Sequence, residues 1–265
     1  MTSQAPGFAA ATQPVAQTRV HTDSQGLAAG DVKLRVADGE LSAYRAMPDG
    51  ARGLPIVLVV QEIFGLHEYV KDVCRRFSKH GYLAVACEHY ERQGDVSKLA
   101  TVEEIRPIVA RVPDAQVLSD LDAARDFAVG EGGDATRLGI TGFCWGGRVV
   151  WLYAAHNPAL KAGVAWYGRL EGPASEMQPE QPIEVVARID APVLGLYGGA
   201  DAGIPNDSVD RMRAALQAAG KPSGIHLYPD APHAFHADYR PSYRPDAARD
   251  GWERTLAWLA RHGVA

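Results

Sequence analysis

The residue best placed to do covalent chemistry is Cys144, set in Gly142-Phe143-Cys144-Trp145-Gly146-Gly147. A nucleophile with glycine two positions away on each side fits the G-x-S-x-G pattern, with sulfur in place of the hydroxyl. The spacing has a steric reason. On a sharp strand-to-helix turn the nucleophile takes a strained backbone conformation, and side chains at the flanking positions would collide. A helix starting at Gly146 would also aim its free N–H groups and positive dipole end at the sulfur, which favours thiolate. That help matters, because an ordinary thiol with a pKa of about 8.5 is only slightly ionised at neutral pH.

Such a nucleophile needs a base and an acid that orients the base. Asp201 follows Val193-Leu194-Gly195-Leu196-Tyr197 through Gly198-Gly199-Ala200, and His233 ends the stretch Pro229-Asp230-Ala231-Pro232-His233. The order nucleophile, acid, base is that of α/β-hydrolases and differs from that of chymotrypsin or subtilisin. His233 is expected to take the thiol proton and later protonate the leaving group, with Asp201 fixing its tautomer. Of the nine histidines, His67, His80, His156 and His262 fall at element ends or on helix surfaces and His21 in the N-terminal tail. His89, His226 and His236 fit pocket or surface positions. Asp230 is the rival acid by proximity to His233, but a loop aspartate there reads as a turn former.

The elements that must carry these residues alternate between strand and helix patterns. Asp31 to Ala37 and Leu41 to Ala46 read as two strands around Asp38-Gly39. Pro55 to Val60 is a continuous apolar, β-branched run, as in a strand buried on both faces of a parallel sheet. Further strands are expected at Tyr82 to Cys87, Leu138 to Phe143, Ala162 to Tyr167, Pro192 to Tyr197 and Ile225 to Tyr228. Helices are expected at Tyr69 to His80, Asp114 to Val129, Gly146 to His156, Asp207 to Ala219 and Asp246 to Arg261. Leu99 to Pro113 reads as part-helical and broken by Pro107, and Arg169 to Arg188 as a surface excursion. The sum is a doubly wound, mostly parallel α/β sheet with helices on both faces, the α/β-hydrolase fold. Ligands are then expected at the carboxyl ends of the strands, where Cys144, Asp201 and His233 fall.

Composition limits the partners. A chain of 265 residues with 46% hydrophobic and 22% charged residues makes one large α/β domain, here 31–265, with a loosely ordered extension over 1–30. A net charge of -5 argues against nucleic acid, and no apolar run reaches the roughly 18 residues that span a bilayer. The three cysteines form neither a disulfide framework nor a zinc spacing. Cys74 and Cys87 read as small buried hydrophobes. A thiol that must stay reduced points to the cytoplasm; the alternative is that Gly7 to Ala11 is the remnant of an export signal.

With Gln61-Glu62-Ile63-Phe64-Gly65 at the end of the first parallel strand, the chain resembles the dienelactone hydrolase (carboxymethylenebutenolidase) family of α/β-hydrolases. The resemblance runs from about Asp31 to the C-terminus. It rests on that segment, Tyr90 to Gln93, the Cys144 turn, the Gly198 to Asp201 loop and the His233 segment, in this order. It implies that Glu62 contacts the resting thiol and takes part in converting it to thiolate. It also implies an oxyanion hole from the backbone N–H groups of Ile63 and Trp145. The family holds its substrate's carboxylate with arginines, and Arg92 matches the first, beside Tyr90. The second would stand where this chain has Ala237; His236 or Arg240 is the candidate replacement. Ala234 and Val96 depart from the pattern too, where Ser and Tyr are expected.

The expected activity is cleavage of a small ester or lactone through a thioester acyl-enzyme, by a protein needing no metal or organic cofactor and acting as a monomer or homodimer. Two alternatives stand beside it. One is a broad carboxylesterase or thioesterase on the same triad, lacking the full carboxylate clamp. The other is a non-catalytic binding protein that keeps the fold.

Overall fold

The computed structural model describes residues 7, 8 and 10–265; the first six residues and Ala9, which belongs to the Gly7 to Ala11 stretch, lie outside the described residues. Its centre is an eight-stranded sheet in the order β1-β2-β4-β3-β5-β6-β7-β8. The hairpin β1 (Leu27–Val36) and β2 (Gly39–Pro48) runs antiparallel, and β2 pairs antiparallel with β4 (Leu83–Cys87). From there the sheet is parallel through β3 (Leu54–Val60), β5 (Gly133–Phe143), β6 (Ala162–Trp166), β7 (Val193–Gly198) and β8 (Gly224–Tyr228). This is the α/β-hydrolase fold expected from the alternation of patterns. Ile56 to Val60 are almost wholly buried, as their unbroken apolar run requires of a strand covered on both faces. Each such side chain contributes roughly 1.5–3 kcal/mol of transfer free energy.

Helices α1 (Glu68–Lys79) and α6 (Pro245–Arg261) share one face, where Phe77 packs on Trp252 with ring centroids 4.6 Å apart. Helices α3 (Asp114–Gly130) and α4 (Trp145–His156) share the other, joined by the buried bidentate pair of Arg148 with Asp114 at 2.7 and 2.8 Å. Helix α5 (Asn206–Ala218) precedes the edge strand β8.

Four expectations change. Helix α2 (Val102–Val109) runs through Pro107 instead of breaking there. The proline sits in the last turn, so the acceptor it deprives is the carbonyl of exposed Glu103, which water can reach. The Thr101–Glu104 capping box secures the other end. The hairpin turns at Ala37-Asp38, with Gly39 already paired to Val36. The excursion over 169–188 is half built into the protein: Pro182–Arg188 forms a 3-10 helix with Val185 and Val186 buried, and Arg148 reaches Gln181 at 3.1 Å.

The boundary at residue 30 falls inside β1, and the described part of the extension is held to the domain. Phe8 and Ala11 are buried, the Val15 N–H donates to the Tyr239 carbonyl at 2.7 Å, and Thr22 N–H donates to Asp72 at 2.6 Å. The Ala-, Gln- and Thr-rich composition of this stretch hid this, because the contacts lie 50 or more residues away in sequence. No helix among the described residues is long and apolar enough to cross a membrane.

Candidate active site

Strand β5 delivers Cys144 at the sheet's carboxyl edge, half-buried, with φ 56° and ψ -115°, a region that costs a non-glycine residue strain. Two close approaches hold it there. A side chain on Gly142 would lie 2.4 Å from the Gly146 carbonyl oxygen, and one on Gly146 would lie 2.5 Å from that of Val60. The Cys144 N–H donates to the Trp166 carbonyl at 3.0 Å, tying the turn to β6. Trp145 is the first residue of α4, so its N–H has no intrahelical acceptor. Ile63, half-buried, lies in the loop that leaves β3 next to Gly146, whose Cα crowds the Val60 and Gln61 carbonyls.

Asp201 and His233 meet as expected. The Asp201 Oδ2 lies 2.6 Å from the His233 Nδ1, and its Oδ1 accepts the Gly203 N–H at 2.8 Å. Asp230 takes no part in this pair. Burial opposes a charge on His233, but the Cys144 sulfur and the Asp201 carboxylate outweigh it and raise its pKa to about 10. The proton therefore rests on the imidazole, facing sulfur on one side and carboxylate on the other. The Tyr167 ring stands edge-on to His233 at 5.2 Å, with φ 38° at Tyr167.

Glu62 is placed differently from what the resemblance implies. Its side chain is buried, and the hydrogen bond it makes is to the Tyr239 hydroxyl, which donates to Oε2 at 2.5 Å, not to Cys144. His67 Nε2 stands 3.6 Å from the same oxygen, and Oε1 has no hydrogen-bond partner. Burial pushes the Glu62 carboxyl up, yet His67, the Tyr239 hydroxyl and the Arg240 charge together hold it below its ordinary value.

The three expected substrate contacts separate. Tyr90 lies against the residues around the nucleophile: it is fully buried, its hydroxyl donates to the Glu62 carbonyl at 3.4 Å, and its ring meets Trp145 at 5.1 Å. Arg92 does not present a free charge. Its guanidinium is spent on Asp38 at 2.7 Å twice and on Asp120 at 2.9 Å twice, pinning the β1–β2 turn to α3. His236 is no cation. Its Nδ1 pairs with the Tyr69 hydroxyl at 2.6 Å, its ring lies among Phe143, Trp166 and Trp252, and burial drives its pKa well below the usual histidine value. It borders a cavity of about 320 Å³ shared with Arg76 and Trp252.

The unpaired guanidinium on this side of the site is that of Arg240. Its guanidinium lies over the Phe64 ring at 5.3 Å and acts on Glu62, and it has no carboxylate partner among the described residues. Ala237 itself is fully buried. His67 and Tyr239 gave no signal in the sequence, because their meeting with Glu62 depends on a loop and on a segment 177 residues away. His21, Glu68 and Asp72 could bring three ligand atoms within 4.8 Å of one another, but Arg75 and Arg76 already neutralise the two carboxylates.

Comparison with known proteins bears on the family and the fold. Residues 41–263 match the model of the Dienelactone hydrolase family. A Methylorubrum extorquens protein provisionally named a carboxymethylenebutenolidase is 61% identical over 100% of this chain and 92% of its own. A Bradyrhizobium protein provisionally named a 2-oxo-3-(5-oxofuran-2-ylidene)propanoate lactonase is 35% identical over 83% of this chain and 89% of its own. The crystal structure of a Klebsiella pneumoniae protein, provisionally described as a dienelactone hydrolase, superposes with a TM-score of 0.87 at 53% identity. It covers 89% of this chain and 99% of that one.

Proposed function

Starting from the fact that this chain belongs to the dienelactone hydrolase family and is a hydrolase of that type, we propose that it cleaves a small lactone or ester bearing a carboxylate, by covalent catalysis at Cys144. The observation that carries the reading is the bonding of Asp201 to His233 at 2.6 Å beside Cys144 on its strained, glycine-flanked turn.

In this mechanism the Cys144 thiolate attacks the carbonyl carbon, and the new oxyanion lies against the Ile63 and Trp145 N–H groups. Collapse breaks the carbon–oxygen bond, and His233 gives its proton to the departing oxygen. In a lactone that oxygen stays tethered to the acyl chain. Neutral His233 then takes a proton from water, whose oxygen attacks the thioester; thiolate leaves, and the acid is released. Ester and water are consumed, acid and alcohol formed, and the imidazolium–thiolate pair is restored. Arg240 is the cation offered to the substrate's carboxylate, in place of Arg92 and His236. The reduced thiol this requires suits the cytoplasm.

A kinetic panel tests it: cis- and trans-dienelactone, p-nitrophenyl acetate and an acyl thioester, with the parent, Cys144→Ser and Cys144→Ala. Loss of nearly all turnover in Cys144→Ala, with an unchanged melting temperature, is the expected result. Turnover that survives Cys144→Ala sinks the nucleophile assignment. A preference for p-nitrophenyl acetate over both lactones would replace the substrate class with the broad esterase reading, which Ala237 favours.

A further inference from the structure

His67 is a buried imidazole for which the mechanism above has no use. Its ring is 3% exposed on the side chain, neither ring nitrogen makes a hydrogen bond, and Nε2 lies 3.6 Å from the Glu62 carboxylate. Four aromatic rings enclose it: Phe8 at 5.4 Å, Phe64 at 6.1 Å, Tyr69 at 6.0 Å and Tyr239 at 5.1 Å. Three of these belong to the domain. The fourth, Phe8, comes from the N-terminal extension, is 5% exposed and also meets Tyr239 at 5.1 Å. It is held in place from both sides. The Glu68 N–H donates to the Gly7 carbonyl at 2.8 Å, and Arg19 covers the outer face of the Phe8 ring at 5.5 Å.

We propose that His67 is a positioning residue for Glu62, and that the N-terminal extension is a working part of the active site because Phe8 seals the His67–Glu62 pair from water. The proposal rests on the Cys144 reading, since what it explains is how a carboxylate at the nucleophile turn is held toward Tyr239 and His67. Glu62 leaves β3 at the wall of the nucleophile turn. A free carboxylate there would turn toward whichever donor is nearest, the imidazolium of His233 included. His67 and the Tyr239 hydroxyl draw it the other way, and the aromatic cage makes their attraction strong by excluding water. Arg240, on the same side, adds to the pull.

The groups facing the pair are few. Tyr69 comes from α1, Tyr90 from the segment after β4, Tyr167 from the end of β6, and Tyr239 and Arg240 from the segment after His233; Arg19 and Glu68 stand outside Phe8. The phenols are all buried with pKa values driven well above 10, so they stay neutral across the working range. The titration that His67 governs is therefore that of Glu62, whose change of charge at the wall of the nucleophile turn alters the field at Cys144 and so enters the rate. Burial raises the Glu62 pKa and His67 is the largest influence lowering it, so removing the imidazole moves the pKa up.

The test is the pH profile of kcat/KM for p-nitrophenyl acetate on the full chain, with His67→Gln, Phe8→Ala and Phe8→Leu. His67→Gln is expected to move the acid limb to higher pH by about one unit and to lower kcat more than it changes KM. Phe8→Ala admits water, which weakens the pull of His67 but also relieves the burial that raises the Glu62 pKa; it should lower kcat less than His67→Gln does and leave the acid limb closer to the parent's, and Phe8→Leu, which refills the space, should restore the parent kcat. Melting temperatures accompany each variant, because a packing role alone would lower them and leave the profile in place. That outcome, or an acid limb unmoved in His67→Gln, overturns the proposal. Cys144→Ala in the same panel keeps the failures apart. Turnover surviving it brings down the nucleophile reading and this proposal with it, whereas an inactive Cys144→Ala beside an unmoved acid limb brings down this proposal alone.

Discussion

The two walls of the site are built by different means. The wall that carries Cys144, Asp201 and His233 is set by backbone: adjacent strand ends, glycines that admit a carbonyl within 2.4 to 2.5 Å of where a side chain would begin, and a bonded acid–base pair at 2.6 Å. The wall that carries Glu62, Tyr239, His67 and Arg240 is set by side chains from distant segments meeting in a buried pocket. Backbone geometry leaves a fixed spacing in the sequence. A meeting of long side chains leaves none, and it can be rebuilt with other residues while the first wall stays the same.

The largest way to break this comparison is at the pair that joins Asp201 to His233. Asp201→Asn keeps the shape but loses the carboxylate that fixes the tautomer and favours the imidazolium. It should cost up to about 10⁴-fold in kcat. It should also move the basic limb of the rate profile to lower pH, since Asp201 is one of the groups raising the His233 pKa to about 10. The sign for stability follows from the same shift. The folded protein binds the proton more tightly than the usual value of 6.5, so the pair's contribution is complete below about 6.5 and is lost as pH climbs toward 10. Denaturant titrations across that interval should show stability falling with pH in the parent, and falling less in Asp201→Asn. A rate profile identical in the two proteins would mean that His233 is not the base.

The difference between the walls also explains what could be read from the sequence. Every strand of the parallel sheet was legible, because an apolar run such as Ile56 to Val60 has one physical outcome. So were the places of Cys144, Asp201 and His233 at strand ends in a fixed order. Arg92 and His236 were assigned by position in a pattern, and position says nothing about partners. Asp38 and Asp120 claim the guanidinium of Arg92, and burial among Phe143, Trp166 and Trp252 keeps His236 neutral. Pro107 misled for a related reason: a proline's cost depends on which carbonyl it deprives, and Glu103 is exposed.

A finer separation comes from the two arginines. Arg240→Ala should raise KM for an anionic lactone about 10- to 100-fold, the value of one charge-assisted hydrogen bond at about 1.5–3 kcal/mol, and leave p-nitrophenyl acetate within about twofold. Arg92→Ala should do the reverse of what its place in the pattern suggests. It leaves Asp120 buried without its partner, so the melting temperature falls while KM for both substrates holds. If Arg92→Ala raised KM selectively for the lactone, the carboxylate would have to be reached by a guanidinium that lets go of Asp38 and Asp120.

The smallest expected effect on recognition comes from restoring the family's residue. Ala237 is fully buried, its N–H bonded to the Ala234 carbonyl at 3.0 Å and its own carbonyl accepting from Arg240 at 2.9 Å. Ala237→Arg would have to drive a long charged side chain into space already filled, at a cost of about 1–3 kcal/mol for the overpacking before any charge is counted. The new cation would also approach Arg240, which already acts on Glu62 from the same segment. Affinity for an anionic lactone should therefore not improve, and the melting temperature should drop. An improved KM for the lactone in Ala237→Arg, with Arg240→Ala silent in the same assay, would show that the side-chain wall is organised around position 237 after all.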